Sequence, residues 1–218
     1  MSKMSDKQTN AVAENVYVAL LRGINIGGHN LMKMPKLKES FEKVGLQDVS
    51  TYINTGNIIF RKAGLSRAAI VTKLEEVIRQ DFQLDIKVLL RSHSEFKSLI
   101  DFLPPDWVNN SLTRCDIMFL WEDIDEPSIL AGLLKGDREV ISSAKVKRPT
   151  KKGAEHLYYV AGAGAVVWHV NQDKLVKCHA LQKLAANKLY KRMTLRNVNS
   201  ARKIYALLDE LANELGQV

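Results

Sequence analysis

The chain has 218 residues, 46% of them hydrophobic and 26% charged, with a formal net charge of +8, which is enough apolar material for a proper core. No apolar run reaches the roughly 18 residues that span a bilayer. The polar opening, Met1 to Glu14, lacks the apolar centre of a secretion signal, so a cytoplasmic protein with a loose 1–14 tail and no membrane partner is expected.

The first predicted element is Val16 to Leu21, a short apolar, partly β-branched run that reads as a buried strand. A glycine-rich loop, Arg22 to Asn30, follows it. Pro35 suits the first turn of a helix that carries Leu37, Phe41 and Val44 on one face and stops at Gly45. Val49 to Ile53 and Ile58 to Phe60 read as strands joined by a hairpin turn at Asn54-Thr55-Gly56-Asn57. Ser66 can cap a second helix in which Ile70, Leu74, Val77 and Ile78 recur at helical spacing. Ile86 to Leu90 completes a βαββαβ order, the ferredoxin-like arrangement. A right-handed crossover makes its first two strands parallel. Their C-terminal ends then share one edge, and the glycine-rich loop is expected to lie beside the Thr55-Gly56 turn.

The second half has a helix from Ser94 to Leu103, ended by Pro104-Pro105. A strand at Asp116 to Trp121, a short helix at Ser128 to Leu134 and a weak strand at Glu139 to Ser142 come next. Ser143 to Glu155 reads as a polar, basic loop. His156 to Val160 and Val166 to Val170 form a hairpin around Gly162-Ala163-Gly164. Helices are expected from about Leu181 to Lys191 and from Asn197 or Asn199 onward. The fold class is therefore α+β: a ferredoxin-like subdomain over 15–103, then a second α+β subdomain over 104–218 with mainly antiparallel strands and C-terminal helices.

Charge is unevenly spread. Lys145 to Lys203 holds 14 basic residues against two acids, a net +12, while Asp101 to Ala144 has three against nine, a net −6. Such asymmetry marks either a phosphate-attracting surface, with Lys147, Arg148, Lys151 and Lys152 at its centre, or two segments that neutralise each other.

Gly23-Ile24-Asn25-Ile26-Gly27-Gly28 matches neither the dinucleotide fingerprint nor the phosphate-binding loop. It does set Arg22 beside three glycines whose bare backbone can approach an anion. The competing reading is a sharp turn with positive φ, with Ile24 and Ile26 facing inward. Arg22, Gly23, Asn25, Gly27, Gly28, Thr55, Gly56 and Asn57 together make a donor cluster without a carboxylate, which suits oxyanion binding better than proton abstraction. Thr194, Arg196 and Asn197 precede the last helix, whose N-terminus is either a second anion site or simply capped by Asn197. His156, His169, His179 and Cys178 match no metal spacing. Neighbouring Cys178 and His179 diverge on any regular element, so no metal site is expected. The two cysteines, Cys115 and Cys178, follow no disulfide framework.

The stretches Leu20 to Gly28, Met34 with Leu37, Thr51 to Phe60, and Thr194-x-Arg196-Asn197 closely resemble the Domain of Unknown Function 1697 family. The resemblance runs from Val16 to about Leu208. It implies an α+β protein of two subdomains, the first ferredoxin-like, and no particular activity. The chain departs from the family pattern in carrying Thr55 for the usual Ser, Val198 for the usual Trp and Ser200 for the usual Thr.

The sequence thus leads to an expected non-catalytic binder of an anionic partner, nucleic acid or a nucleotide, with no cofactor. The alternatives are an enzyme acting on a small phosphorylated or carboxylated substrate, with His29 as its candidate base, and a protein-interaction module using exposed edge strands. Against base stacking, the first strands carry few aromatic residues, with Tyr17 and Phe60 as the candidates.

Overall fold

All six residues of β1 (Val16–Leu21) are buried, as a strand covered on both faces requires. A computed structural model of the chain describes residues 15–62, 64–133, 140–142, 156–172 and 188–215. The 1–14 segment, Lys147, Arg148, Lys151, Lys152, Cys178, His179 and positions 181–187 of the expected helix lie outside the described residues. The fold is mixed α+β. The chain divides into two compact units, residues 1–96 with 203–218, and residues 97–202.

In the first unit β1 leads through the glycine-rich loop to α1 (Met34–Lys43), with Pro35 in its first turn and Leu37 and Phe41 fully buried. β2 (Gln47–Tyr52) and β3 (Asn57–Arg61) form a hairpin. α2 (Arg67–Phe82) is capped by the Ser66 hydroxyl, which accepts from the Ala69 N–H. β4 (Val88–Ser92) completes the βαββαβ order. The strands lie in the order β2-β3-β1-β4, and every neighbouring pair is antiparallel. Because β1 and β2 both run against β3, they run in the same direction, as the crossover rule requires. This arrangement is compatible with a ferredoxin-like unit.

Side chains alternate across a strand, so the register separates the two faces of this sheet. Tyr17, Ala19, Leu21, Ile58, Phe60, Val88 and Leu90 join Leu37, Phe41, Ile70, Leu74 and Ile78 in one core. The opposite face carries Val18, Leu20, Ile59, Leu89 and Arg91, none more than 3% exposed. Both faces are therefore closed to solvent. Residues from the C-terminal part of the chain belong to this unit: the His93 ring lies 2.9 Å from Asp209 through Nε2, and the Tyr205 ring packs beside it.

The outer strand β2 carries a bulge between Gln47 and Ser50. Asp48 at that bulge has φ +52 and accepts from Arg61 Nε at 2.8 Å. A bulge and a charged pair on an edge strand oppose further strand pairing.

α3 (His93–Phe102) begins in the first unit. The second unit holds β5 (Thr113–Leu120), α4 (Ile129–Leu133), β6 (Val140–Ser142), β7 (His156–Val160), β8 (Ala165–Asn171) and β9 (Met193–Asn197). The sheet order is β6-β7-β8-β5-β9, antiparallel except for the parallel β6–β7 pair. Met118, Leu120, Leu157, Tyr159, Val166 and Trp168 fill its core. Lys188–Arg192, expected to end a longer helix, is a short 3-10 turn. α5 (Val198–Leu215) closes the described chain. No helix among the described residues is long and apolar enough to cross a membrane.

Candidate functional site

The parallel β1 and β2 bring the β1–α1 loop and the β2–β3 turn to one rim of the first sheet. The Leu21 N–H donates to the Gly56 carbonyl at 2.8 Å, and Asn25 Nδ2 donates to the Asn54 carbonyl at 2.8 Å. Two segments about thirty residues apart are thus joined at both backbone and side chain. No carboxylate occurs from Arg22 to Lys38 or from Val49 to Asn57.

The glycine-rich loop is a small braced finger. Gly27 and Gly28 have φ +58 and +79, and the His29 N–H donates to the Ile26 carbonyl at 3.0 Å. Positive φ at both central positions defines a type I′ turn, which glycine enters without penalty. Asn25 and Asn30 flank it, also left-handed at φ +52 and +49. The Asn25 amide donates to the Met32 carbonyl and accepts from the Met32 N–H, while Asn30 Nδ2 donates to the Gly23 carbonyl. Ile24 is buried as expected. Ile26 is not: it is 63% exposed, because the turn throws it to the outer side of the finger.

The hairpin turn occupies Ile53 to Gly56, one residue earlier than the sequence indicates, since Tyr52 pairs with Asn57 in the ladder. Asn57 is fully buried and donates to the Tyr52 carbonyl and to Thr55 Oγ1. It holds the turn from inside instead of presenting its amide outward. Gly56 has no room for a side chain: an added Cβ would lie 2.7 Å from Leu21 Cβ and 2.9 Å from Ile24 Cδ1. Arg22, Gly23 and Thr55 are half-buried on this rim, and Gly27, Gly28 and His29 are exposed.

Thr194, Arg196 and Asn197 directly precede the last helix, as expected. They form β9, paired with β5 as Phe119↔Thr194, Ile117↔Arg196 and Asp116↔Asn197. Thr194 is 3% and Arg196 8% exposed. Arg196 Nη1 donates to Thr194 Oγ1 at 3.0 Å and to the Leu195 carbonyl at 2.7 Å. Burial pushes its guanidinium down to about 10, still charged at neutral pH. Asn197 Oδ1 accepts from the Ser200 N–H at 2.8 Å and caps α5.

Tyr17 and Phe60, the aromatic candidates, stack on each other with centroids 6.3 Å apart inside the core. Cys115 is buried, and burial with the nearby Asp116 charge pushes its thiol up to about 12. Among the described residues no group of three or more His, Cys, Asp or Glu side chains could hold a metal ion. Sequence reading missed Ile53 and Asn30. The signal for Ile53 was its place directly before Asn-Thr-Gly, where turn residues were already expected.

No curated protein matches the chain. Among solved structures it resembles a conserved bacterial protein, SP0830 from Streptococcus pneumoniae, at 27% identity and a TM-score of 0.69, over 88% of this chain and 98% of that one. The family model described as a protein of unknown function, DUF1697, matches residues 15–145, a stretch that holds the whole rim and ends before β9. The chain belongs to the DUF1697 family.

Proposed function

We propose that the chain is a non-catalytic, cytoplasmic binder of an anionic ligand, a nucleotide or nucleic acid, held at the rim where the β1–α1 finger meets the β2–β3 turn. The observation that carries this reading is the hydrogen-bonded union of the two loops, with Arg22 on it and no carboxylate in either segment. Such a site favours an oxyanion and offers no carboxylate base. His29 stands exposed on the turn. The closed sheet faces leave out the stacking platform on which RNA-recognition modules lay bases, so the rim and not the sheet surface takes the ligand. The bulged, charged edge of β2 weighs against partner binding by strand addition.

The test is a thermal-shift titration with phosphate, AMP and a short oligonucleotide. A ligand that binds the folded state raises the melting temperature as its concentration exceeds Kd, and binding should weaken as salt rises. Arg22→Ala is expected to abolish the response while the unliganded variant still unfolds in a single cooperative transition. Equal responses from the parent and Arg22→Ala would falsify the assignment.

A further inference from the structure

Ile53 occupies the left-handed region at φ +49 and is 45% exposed. A β-branched residue is an outlier there; asparagine or glycine would sit in the same place more easily. Its side chain is also nearly half exposed, so core packing offsets only part of the cost of the backbone conformation and of the apolar surface. Strain held at one position points to a role outside the fold. Ile26 is 63% and Leu31 71% exposed, and with Ile53 they are three of the four large hydrophobics strongly exposed among the described residues. All three lie on the two joined loops. Ile26 and Ile53 directly adjoin Asn25 and Asn54, the residues that bridge the loops.

The rim therefore combines cationic and apolar surface. Resting on the anion-binding reading, we infer that the ligand is a small anion joined to an apolar ring, of the nucleoside monophosphate kind, with its phosphate toward Arg22 and its ring against Ile53 and Ile26. Aliphatic side chains can cover one ring face. They do not supply the row of aromatic platforms that successive bases of a single strand require, and both sheet faces are closed. A mononucleotide fits this surface better than a polymer does.

The experiment uses the full chain and compares AMP, adenosine, inorganic phosphate and a short oligonucleotide by calorimetry and thermal shift. The parent should prefer AMP to phosphate by roughly tenfold, the scale of a modest apolar contact. Ile53→Asn should raise the melting temperature of the unliganded protein by about 2–4 °C and bring the AMP-over-phosphate ratio down to about one. Ile26→Ser should lower the ratio without raising the melting temperature. An equal response to AMP and phosphate in the parent, with Arg22→Ala still abolishing both, overturns this inference and leaves anion binding standing. So does an unchanged ratio in Ile53→Asn, or a lowered melting temperature, which would mean that Ile53 returns its strain within the chain. Preference for the oligonucleotide over AMP overturns it in favour of a polymer. A parent that responds to no anion overturns both readings together.

Discussion

The rim of the first unit and strand β9 of the second are built from the same residue types, and they use them in opposite ways. Each has an arginine, a threonine and an asparagine close together. On the rim, Arg22 and Thr55 stay half-buried beside exposed glycines and isoleucines. In β9, Arg196 and Thr194 are buried and bonded to each other. The difference lies in the backbone. A loop at the end of a sheet keeps its polar groups in partial contact with water even where they are bonded, as Thr55 Oγ1 is to Asn57, whereas strand pairing turns alternate side chains into the protein, where only a protein partner remains. Residue type alone does not identify an anion site; the backbone that carries it decides.

Three substitutions can break or sharpen that contrast. Gly56→Ala should have the largest effect, since it combines an L-residue at φ +79 with a Cβ placed 2.7 Å from Leu21 Cβ. A loss of about 2–4 kcal/mol is expected in urea unfolding; a neutral result would show that the two loops can separate freely. Arg196→Met should cost about 1–3 kcal/mol by leaving Thr194 and the Leu195 carbonyl without their donor, and the anion response should survive. If stability holds and the response vanishes, β9 and not the rim is the binding element. The smallest effect belongs to Cys115, in the strand that pairs with β9. Its folded-state value stands above the ordinary 9.0 at about 12, so the unfolded chain releases this proton first as pH rises. Its stability contribution is complete below about pH 9 and declines toward pH 12. Cys115→Ala should flatten the fall in melting temperature over the lower part of that window, and the native thiol should resist iodoacetamide until unfolding.

Much of the first unit was legible because its patterns agree: six apolar residues in a row for β1, helical spacing in α1 and α2, and glycine or serine at their ends. The meeting of the finger with the hairpin turn followed from handedness alone. What stayed hidden were polar residues turned inward. Asn57 looks like a turn former, yet the ladder starts at it and its amide satisfies groups inside the turn. Met193 to Asn197 does alternate apolar and polar residues, but the run is short and leads straight into a helix, and the burial of Thr194 and Arg196 beside Met193 depends on β5, more than seventy residues away. Ile26 was misplaced for the converse reason: an apolar residue was expected inside, and a type I′ turn holds it outside.

The last helix has a consequence for how the protein is made. Residues 203–218 belong with 1–96, and Asp209 and Tyr205 engage His93. During synthesis the N-terminal unit therefore cannot be completed when its own strands emerge from the ribosome. It must await the helix that carries Tyr205 and Asp209, made only after the whole intervening unit has been translated, so a product cut short before that helix would lack part of the older, earlier-made half as well.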